Sequence, residues 1–242
     1  MDKARFQAAC EKANTAELSQ GGIGTLAERT LHRTLKHYFE PDPSHHEVKI
    51  GGFVADIAGP DGIIEIQTRD LGKLRKKLDC FLAAGSVTVV YPVAAIKRLQ
   101  WIDIDTGELG SARKSPKKGG LHDALPELYK IRSYLTHPNF KLCIVLLELM
   151  ELRYLNGWSR DKKRGSHRSD RIPHDLLEEV YFKTPDHYRK MLPADLQAPF
   201  YAKDFMRATK MSRYQASLGI GTLKAIGAIR VTAKEKNAFL YE

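Results

Sequence analysis

Between His46 and Thr68 the chain passes through three short, strand-like stretches, His46–Ile50, Phe53–Ala58 and Ile63–Thr68. Gly51-Gly52 parts the first two, and Gly59-Pro60-Asp61-Gly62 parts the last two. Glycine and Pro-Asp-Gly punctuation between such runs specifies tight hairpins. The flanking sequence narrows the choice further. Upstream, Thr25 and Glu28 form a capping box for a helix that carries Leu26, Leu31, Leu35 and Phe39 at helical spacing and stops at Pro41 and Pro43. A shorter helix, Lys3–Lys12, precedes it. Downstream, Leu71–Ala84 reads as a second helix and Ser86–Val93 as a buried strand. A hairpin over Trp101–Ser111, an exposed basic loop at Arg113–Lys118, a helix near Asp123–Tyr134 and a strand over Leu142–Tyr154 follow.

Strand alternation sets Phe53, Ala55 and Ile57 on one face and Asp56 on the other. In the next strand Ile64 and Ile66 share a face, and Glu65 and Gln67 share the opposite one. A hairpin turning between Pro60 and Asp61 brings Asp56 opposite Glu65. Two acids side by side repel. They make chemical sense around a hard divalent cation, Mg²⁺ or Mn²⁺, which prefers carboxylate oxygens and keeps positions for water and phosphate. The plainer reading is that both acids are solvated on an open sheet face.

The order helix–strand–strand–strand–helix–strand, with Asp56 on the second strand and Glu65-Ile66-Gln67 on the third, resembles the PD-(D/E)xK nuclease superfamily over roughly Thr25–Val93. The resemblance implies an α/β fold with a mixed sheet, the restriction-endonuclease-like core, and Mg²⁺-dependent cutting of DNA. It places Asp56 and Glu65 as metal ligands and Glu28 as an acid that helps to hold metal or water, beside its capping role. Glu47 on the first strand is a supplementary candidate. Gln67 stands where the family usually has lysine. Glutamine can orient a water but brings no charge, so the metal would do more of the activation, with Lys49 or Lys73 as candidates to supply positive charge.

The net charge is +10, from 39 basic and 29 acidic residues. The excess is clustered. Arg153–Arg171 holds seven basic and two acidic residues, and Phe200–Glu242 holds eight basic and three acidic. Clustered positive charge points to a polyanion. Within the second cluster, a helix at Lys203–Thr209, a helix opened by Ser212 and a hairpin around Lys234-Glu235-Lys236-Asn237 resemble a winged helix-turn-helix, with Leu176–Met191 supplying the first helix. In that arrangement Ser212, Arg213, Tyr214 and Gln215 open the helix that enters the major groove, and Lys234 and Lys236 on the wing touch the backbone. Gly219 and Gly221 each cost that helix about 1 kcal/mol relative to alanine. Arg160, Lys162, Lys163, Arg164 and Arg168 lie between the two units and offer phosphate contacts.

The expected organisation is therefore a nuclease domain at 1–155, a basic connector at 156–173 and a small α+β winged-helix domain at 174–242. The expected partner is DNA, with RNA left open. A homodimer is expected because cutting both strands calls for paired sites. The competing expectation is a DNA-binding regulator whose nuclease fold is inert. No apolar run approaches the roughly 18 residues of a membrane helix, and no signal peptide is visible. Cys10, Cys80 and Cys143 form neither a zinc motif nor a disulfide framework, and a reducing cytoplasm is the expected setting. Gly21–Gly24 lacks the Gly-Lys-Ser/Thr of a phosphate loop, and His45-His46 lacks metal-site spacing.

Overall fold

A computed structural model describes residues 1–18, 29–154 and 167–242. Glu28, Arg160, Lys162, Lys163 and Arg164 lie outside the described residues. The elements in chain order are α1 (Lys3–Leu18), α2 (Arg29–Phe39), β1 (His46–Ile50), β2 (Phe53–Gly59), β3 (Gly62–Ile66), α3 (Arg75–Ala84) and β4 (Val87–Ile102). Then come β5 (Arg113–Lys114), α4 (Leu125–Leu128), β6 (Phe140–Tyr154), β7 (His167–Phe182) and α5 (Pro185–Tyr188). The chain closes with β8 (Phe200–Tyr201), α6 (Ala202–Thr209), α7 (Arg213–Ala225), β9 (Val231–Glu235) and β10 (Ala238–Tyr241). No helix of the described residues is long and apolar enough to cross a membrane.

The fold is mixed α/β. The larger sheet has the order β1-β2-β3-β4-β6-β7, with β5 paired to β4. β2 and β3 are antiparallel, with Ile57 opposite Ile64 and Gly59 opposite Gly62, so the expected hairpin register holds. β3 and β4 are parallel, and α3 lies between them in the chain. Parallel neighbours need such a crossover. The smaller sheet is three-stranded, in the order β8-β10-β9.

Contacts divide the chain into two compact units. One holds Met1–His46, Ala94–Gly119 and Val145–Glu179; the other holds Glu47–Val93, Gly120–Ile144 and Val180–Glu242. In the first, α2 buries Leu31, Thr34, Leu35 and Tyr38, a single stripe at helical spacing. It packs on α1, where Phe6, Ala9, Cys10 and Ala13 are buried. In the second, the core is built from Ala55 and Ile57 of β2, Ile63 and Ile66 of β3, Val87, Val89 and Val90 of β4, and Leu78, Phe81 and Leu82 of α3. The same unit packs α7 on α4. Gly219 and Gly221 face that contact: a Cβ at Gly219 would lie 3.5 Å from Leu125 Cβ, and one at Gly221 would lie 2.9 Å from the Tyr129 ring. Their helix-propensity cost is thus offset by close approach, and the buried Thr222 hydroxyl donates to Leu125 O at 3.1 Å.

Three sequence expectations are corrected. Leu176–Phe182 is the end of β7, not a first helix, and only the single turn α5 and a 3-10 turn to Met191 follow. Asp175-Leu-Leu-Glu-Glu179 has strong helix formers, but sheet pairing overrides that weak preference. His167–Pro173, taken as connector, is the beginning of the same strand. Arg113–Lys118 is partly ordered, because Arg113 and Lys114 pair with Leu99 and Arg98 of β4.

Gly62 opens β3 at φ +104°, where a Cβ would meet Ser86 O at 2.6 Å. That backbone oxygen accepts from Ile63 N–H at 2.9 Å and cannot retreat cheaply. Gly62→Ala is expected to cost about 1–3 kcal/mol. Gly85, with extended φ and nothing within 4 Å of its Cβ position, should accept alanine with little change. Urea denaturation of the two variants beside wild type checks this contrast.

Candidate functional site

The candidate site grows from the β2–β3 hairpin. Its backbone ladder is regular from Gly59/Gly62 to Ile57/Ile64. At the next pair the side chains take over. Asp56 N–H donates to Glu65 Oε1 at 3.1 Å, and Ile66 N–H donates to Asp56 Oδ2 at 2.8 Å. Each carboxylate therefore accepts a backbone amide from the opposite strand. Glu65 is buried at 1% exposure, and Asp56 is half-buried. This excludes the plainer reading of two solvated acids.

Burying Glu65 requires a counter-charge. It comes from α3: Lys77 Nζ donates to Glu65 Oε2 at 2.9 Å and to Oε1 at 3.2 Å. The cation is thus Lys77. Lys49 and Lys73, the two lysines expected to supply it, are exposed. The signal lies in helical spacing. Leu78, Phe81 and Leu82 mark the buried face of α3, and Lys77 lies one turn before Phe81. Burial chiefly pushes the Glu65 carboxyl up, and the Asp56 charge pushes the same way, against Lys77 and the Asp56 amide. The net direction is upward.

Gln67 lies at the end of β3, half-buried, and its side-chain amide donates to Asp70 O at 3.0 Å. It secures the turn into α3. Lys130 reinforces that turn, bonding Asp70 at 2.9 Å and Glu127 at 2.8 Å, while Glu127 accepts from Leu71 N–H at 3.0 Å. Glu47 is exposed at φ 55°. His45 and His46 bond Glu40, and Asp42 caps the turn at Pro43.

Asp56 and Glu65 suit Mg²⁺ or Mn²⁺ by donor chemistry, since both offer hard oxygens. Among the described residues no group of three or more His, Cys, Asp or Glu side chains forms a metal cage. Two carboxylates still match the usual demand of Mg²⁺, which keeps waters and takes one or two carboxylates plus phosphate.

The residues expected to meet nucleic acid in the C-terminal part fall into two groups. Ser212 and Gln215 cap α7 reciprocally: Ser212 Oγ accepts from Gln215 N–H at 3.3 Å, and Gln215 Oε1 accepts from Ser212 N–H at 3.2 Å. Arg213 and Tyr214 stand exposed beside them, Tyr214 at 73%. Lys234 and Lys236 are exposed on the β9–β10 hairpin, where Lys236 turns the chain at φ 53° and Lys234 lies 5.6 Å from the Phe239 ring centre. Arg168 sits on β7, beside Glu151, whose Oε2 lies 3.6 Å from Arg168 Nε.

The raised Glu65 carboxyl gives a signed pH dependence. At low pH the folded and unfolded chains both hold this proton, and the group is silent. As pH rises past the ordinary glutamate range the unfolded chain ionises first, so stability falls until the folded carboxyl ionises too. Asp56→Asn removes one upward influence and should flatten this loss. Lys77→Met removes the opposing cation and should steepen it. Urea midpoints between about pH 4 and about pH 7 read both slopes.

Comparison with known proteins adds kinship. A family model described as a domain of unknown function, DUF8091, matches residues 29–183, a stretch that contains Asp56, Glu65 and Lys77. An uncharacterized protein of Treponema pallidum (strain Nichols) is 38% identical over 144 residues, covering 58% of this chain. The chain matches 57% of that relative's length. No solved structure matches. With more than half of its length matched, the chain belongs to the DUF8091 family.

Proposed function

We propose that this chain is a metal-dependent nuclease that hydrolyses phosphodiester bonds in DNA. The observation that carries the reading is the pairing of Asp56 with buried Glu65 across a hairpin, with Lys77 on the same carboxylate. Two like charges in one partly dry place are costly to fold, and such arrangements concentrate at functional sites. The order of elements from α2 to β4 supports the restriction-endonuclease-like core. The chain order β8–α6–α7–β9–β10, with the sheet order β8-β10-β9, supports a winged helix that holds DNA.

In this reading Asp56 and Glu65 would hold Mg²⁺ or Mn²⁺, which supplies Lewis acidity toward the phosphodiester when bound. Asp56 and Glu65 stay in place because each is tied to the facing strand. Lys77 acts through Glu65 as a positioning residue: it favours the ionised form of that carboxylate, against burial and Asp56, and adds positive charge beside the phosphate. Gln67 fixes the strand-to-helix turn that delivers Lys77. Arg213, Tyr214, Lys234 and Lys236 contact DNA. Three cysteines in no disulfide suit a reducing, cytoplasmic setting, and a homodimer would present two sites. The competing reading is a DNA-binding regulator with an inert nuclease fold, favoured by the commitment of the Gln67 amide to Asp70.

Cleavage of supercoiled plasmid and of single-stranded DNA, with Mg²⁺ or Mn²⁺, tests the proposal. Wild type should cut. Asp56→Asn and Glu65→Gln should each lose at least about 100-fold in rate. Lys77→Met should lose comparably, and Lys77→Arg should recover part of it. If wild type never cuts while every variant still shifts DNA on a gel, the regulator reading replaces this one.

A further inference from the structure

The basic segment Arg113–Lys118, Lys97 of β4, and Glu151 and Arg153 of β6 have no part in the carboxylate site above, and Arg168 of β7 joins them. They lie within the first compact unit. There Glu151 of β6, 3% exposed, is the focus of three cations. Arg153 Nε donates to Glu151 Oε1 at 2.6 Å. Lys97 Nζ lies 3.8 Å from Glu151 Oε2, and Arg168 Nε lies 3.6 Å from it. The strand order places β6 between β4 and β7, so one carboxylate gathers a cation from each neighbour and one from its own strand. Glu151 and Arg153 are two residues apart and share a face. Beside them, β5 pairs with β4, and Ser115 N–H donates to Lys97 O at 2.7 Å, which brings the Arg113–Lys118 segment to the Lys97 strand.

One carboxylate neutralises one cation, and here there are three. Among the described residues, no other carboxylate pairs with Lys97, Arg153 or Arg168. The Lys97 and Arg168 contacts are longer than hydrogen bonds, so the attraction leaves their N–H donors unsatisfied by Glu151. Burial pulls the Lys97 ammonium below its ordinary value; Glu151 opposes this, and Arg153, Arg168 and Lys117 reinforce it. Packed positive charge with donors to spare calls for an anion with several acceptor oxygens.

We propose that the Lys97–Arg153–Arg168 cluster, centred on Glu151 and bordered by Arg113–Lys118, seats the phosphodiester backbone of nucleic acid. The proposal rests on the nucleic-acid reading above, and it adds a contact surface built on the sheet rather than on the C-terminal helices. Glu151 offsets the mutual repulsion of the three cations in the folded chain and does not itself meet the ligand.

The test is the binding of a short fluorescent DNA duplex by the full chain across a salt series, with melting temperature measured in parallel. Wild type, Lys97→Gln, Arg168→Gln, Glu151→Gln and the control Lys12→Gln are compared. Each lost phosphate contact should reduce the slope of log affinity against log salt by about 0.9. Lys97→Gln and Arg168→Gln should show this loss, and Lys12→Gln, at an exposed lysine of α1 outside both sites, should not. Glu151→Gln should melt lower yet bind at least as tightly, because it removes a negative charge and keeps every cation. A merely structural network would make Glu151→Gln bind more weakly as it melts lower, and that result overturns the proposal. Unchanged slopes in Lys97→Gln and Arg168→Gln overturn it while leaving the nuclease reading intact. If wild type binds no duplex at any salt, both readings fall. Phosphatidylserine vesicles displacing DNA from wild type, with weaker vesicle binding in the same two variants, would assign the surface to a membrane instead.

Discussion

A carboxylate exposed by only 1% lies within this molecule's second compact unit, and its neighbours are arranged to keep it there. Glu65 cannot leave water unless its charge and lone pairs are met. The facing strand meets part of the need through Asp56 N–H, and α3 meets the rest through Lys77. Both partners depend on backbone geometry. The hairpin must turn at Gly62 for Asp56 to lie opposite Glu65, and the turn after β3 must be held for Lys77 to reach back. Gln67, Asp70, Glu127 and Lys130 hold that turn. Asp56 raises the electrostatic cost of the arrangement while bonding the Ile66 amide, so it is both a strain and a strut.

The second concentration of charge is organised on different terms. At Glu151 one buried carboxylate collects cations in excess, and the balance is positive. Burial pushes the Glu151 carboxyl up, but Lys97, Arg168 and Arg153 together leave it below the ordinary glutamate range, the reverse of Glu65. The contrast follows from counting charges. Glu65 has one cation and one neighbouring anion, whereas Glu151 has three cations. Sites of opposite electrostatic character can thus be built from the same residue type on two strands of one sheet, β3 and β6, by which side chains the sheet brings alongside.

Local punctuation made much of the fold legible. Gly51-Gly52 and Gly59–Gly62 announced β1, β2 and β3, and the pairing of Ile57 with Ile64 follows from a turn between Pro60 and Asp61. The small C-terminal hairpin and the helices α6 and α7 were legible as well, because Ser212 marked a helix start and Lys234–Asn237 a turn. β7 was not legible. Its Leu and Glu residues favour helix locally, and only pairing within the sheet makes it a strand. Gly219 and Gly221 read as defects in a helix until their closeness to Leu125 and Tyr129 explained them.

Of the candidate site, the sequence by itself determined the acids and their register, because strand alternation and a short turn are local rules. It also located the excess positive charge. Tertiary structure alone decided which lysine answers Glu65. Lys49, Lys73 and Lys77 are chemically alike, and the choice among them depends on the face of α3 that packs against the sheet. It also decided that Glu65 is buried rather than solvated, and that Lys97, Arg153 and Arg168, distant in the chain, meet at one carboxylate. Burial and convergence are properties of packing across long sequence separations, and no local pattern of residues carries them.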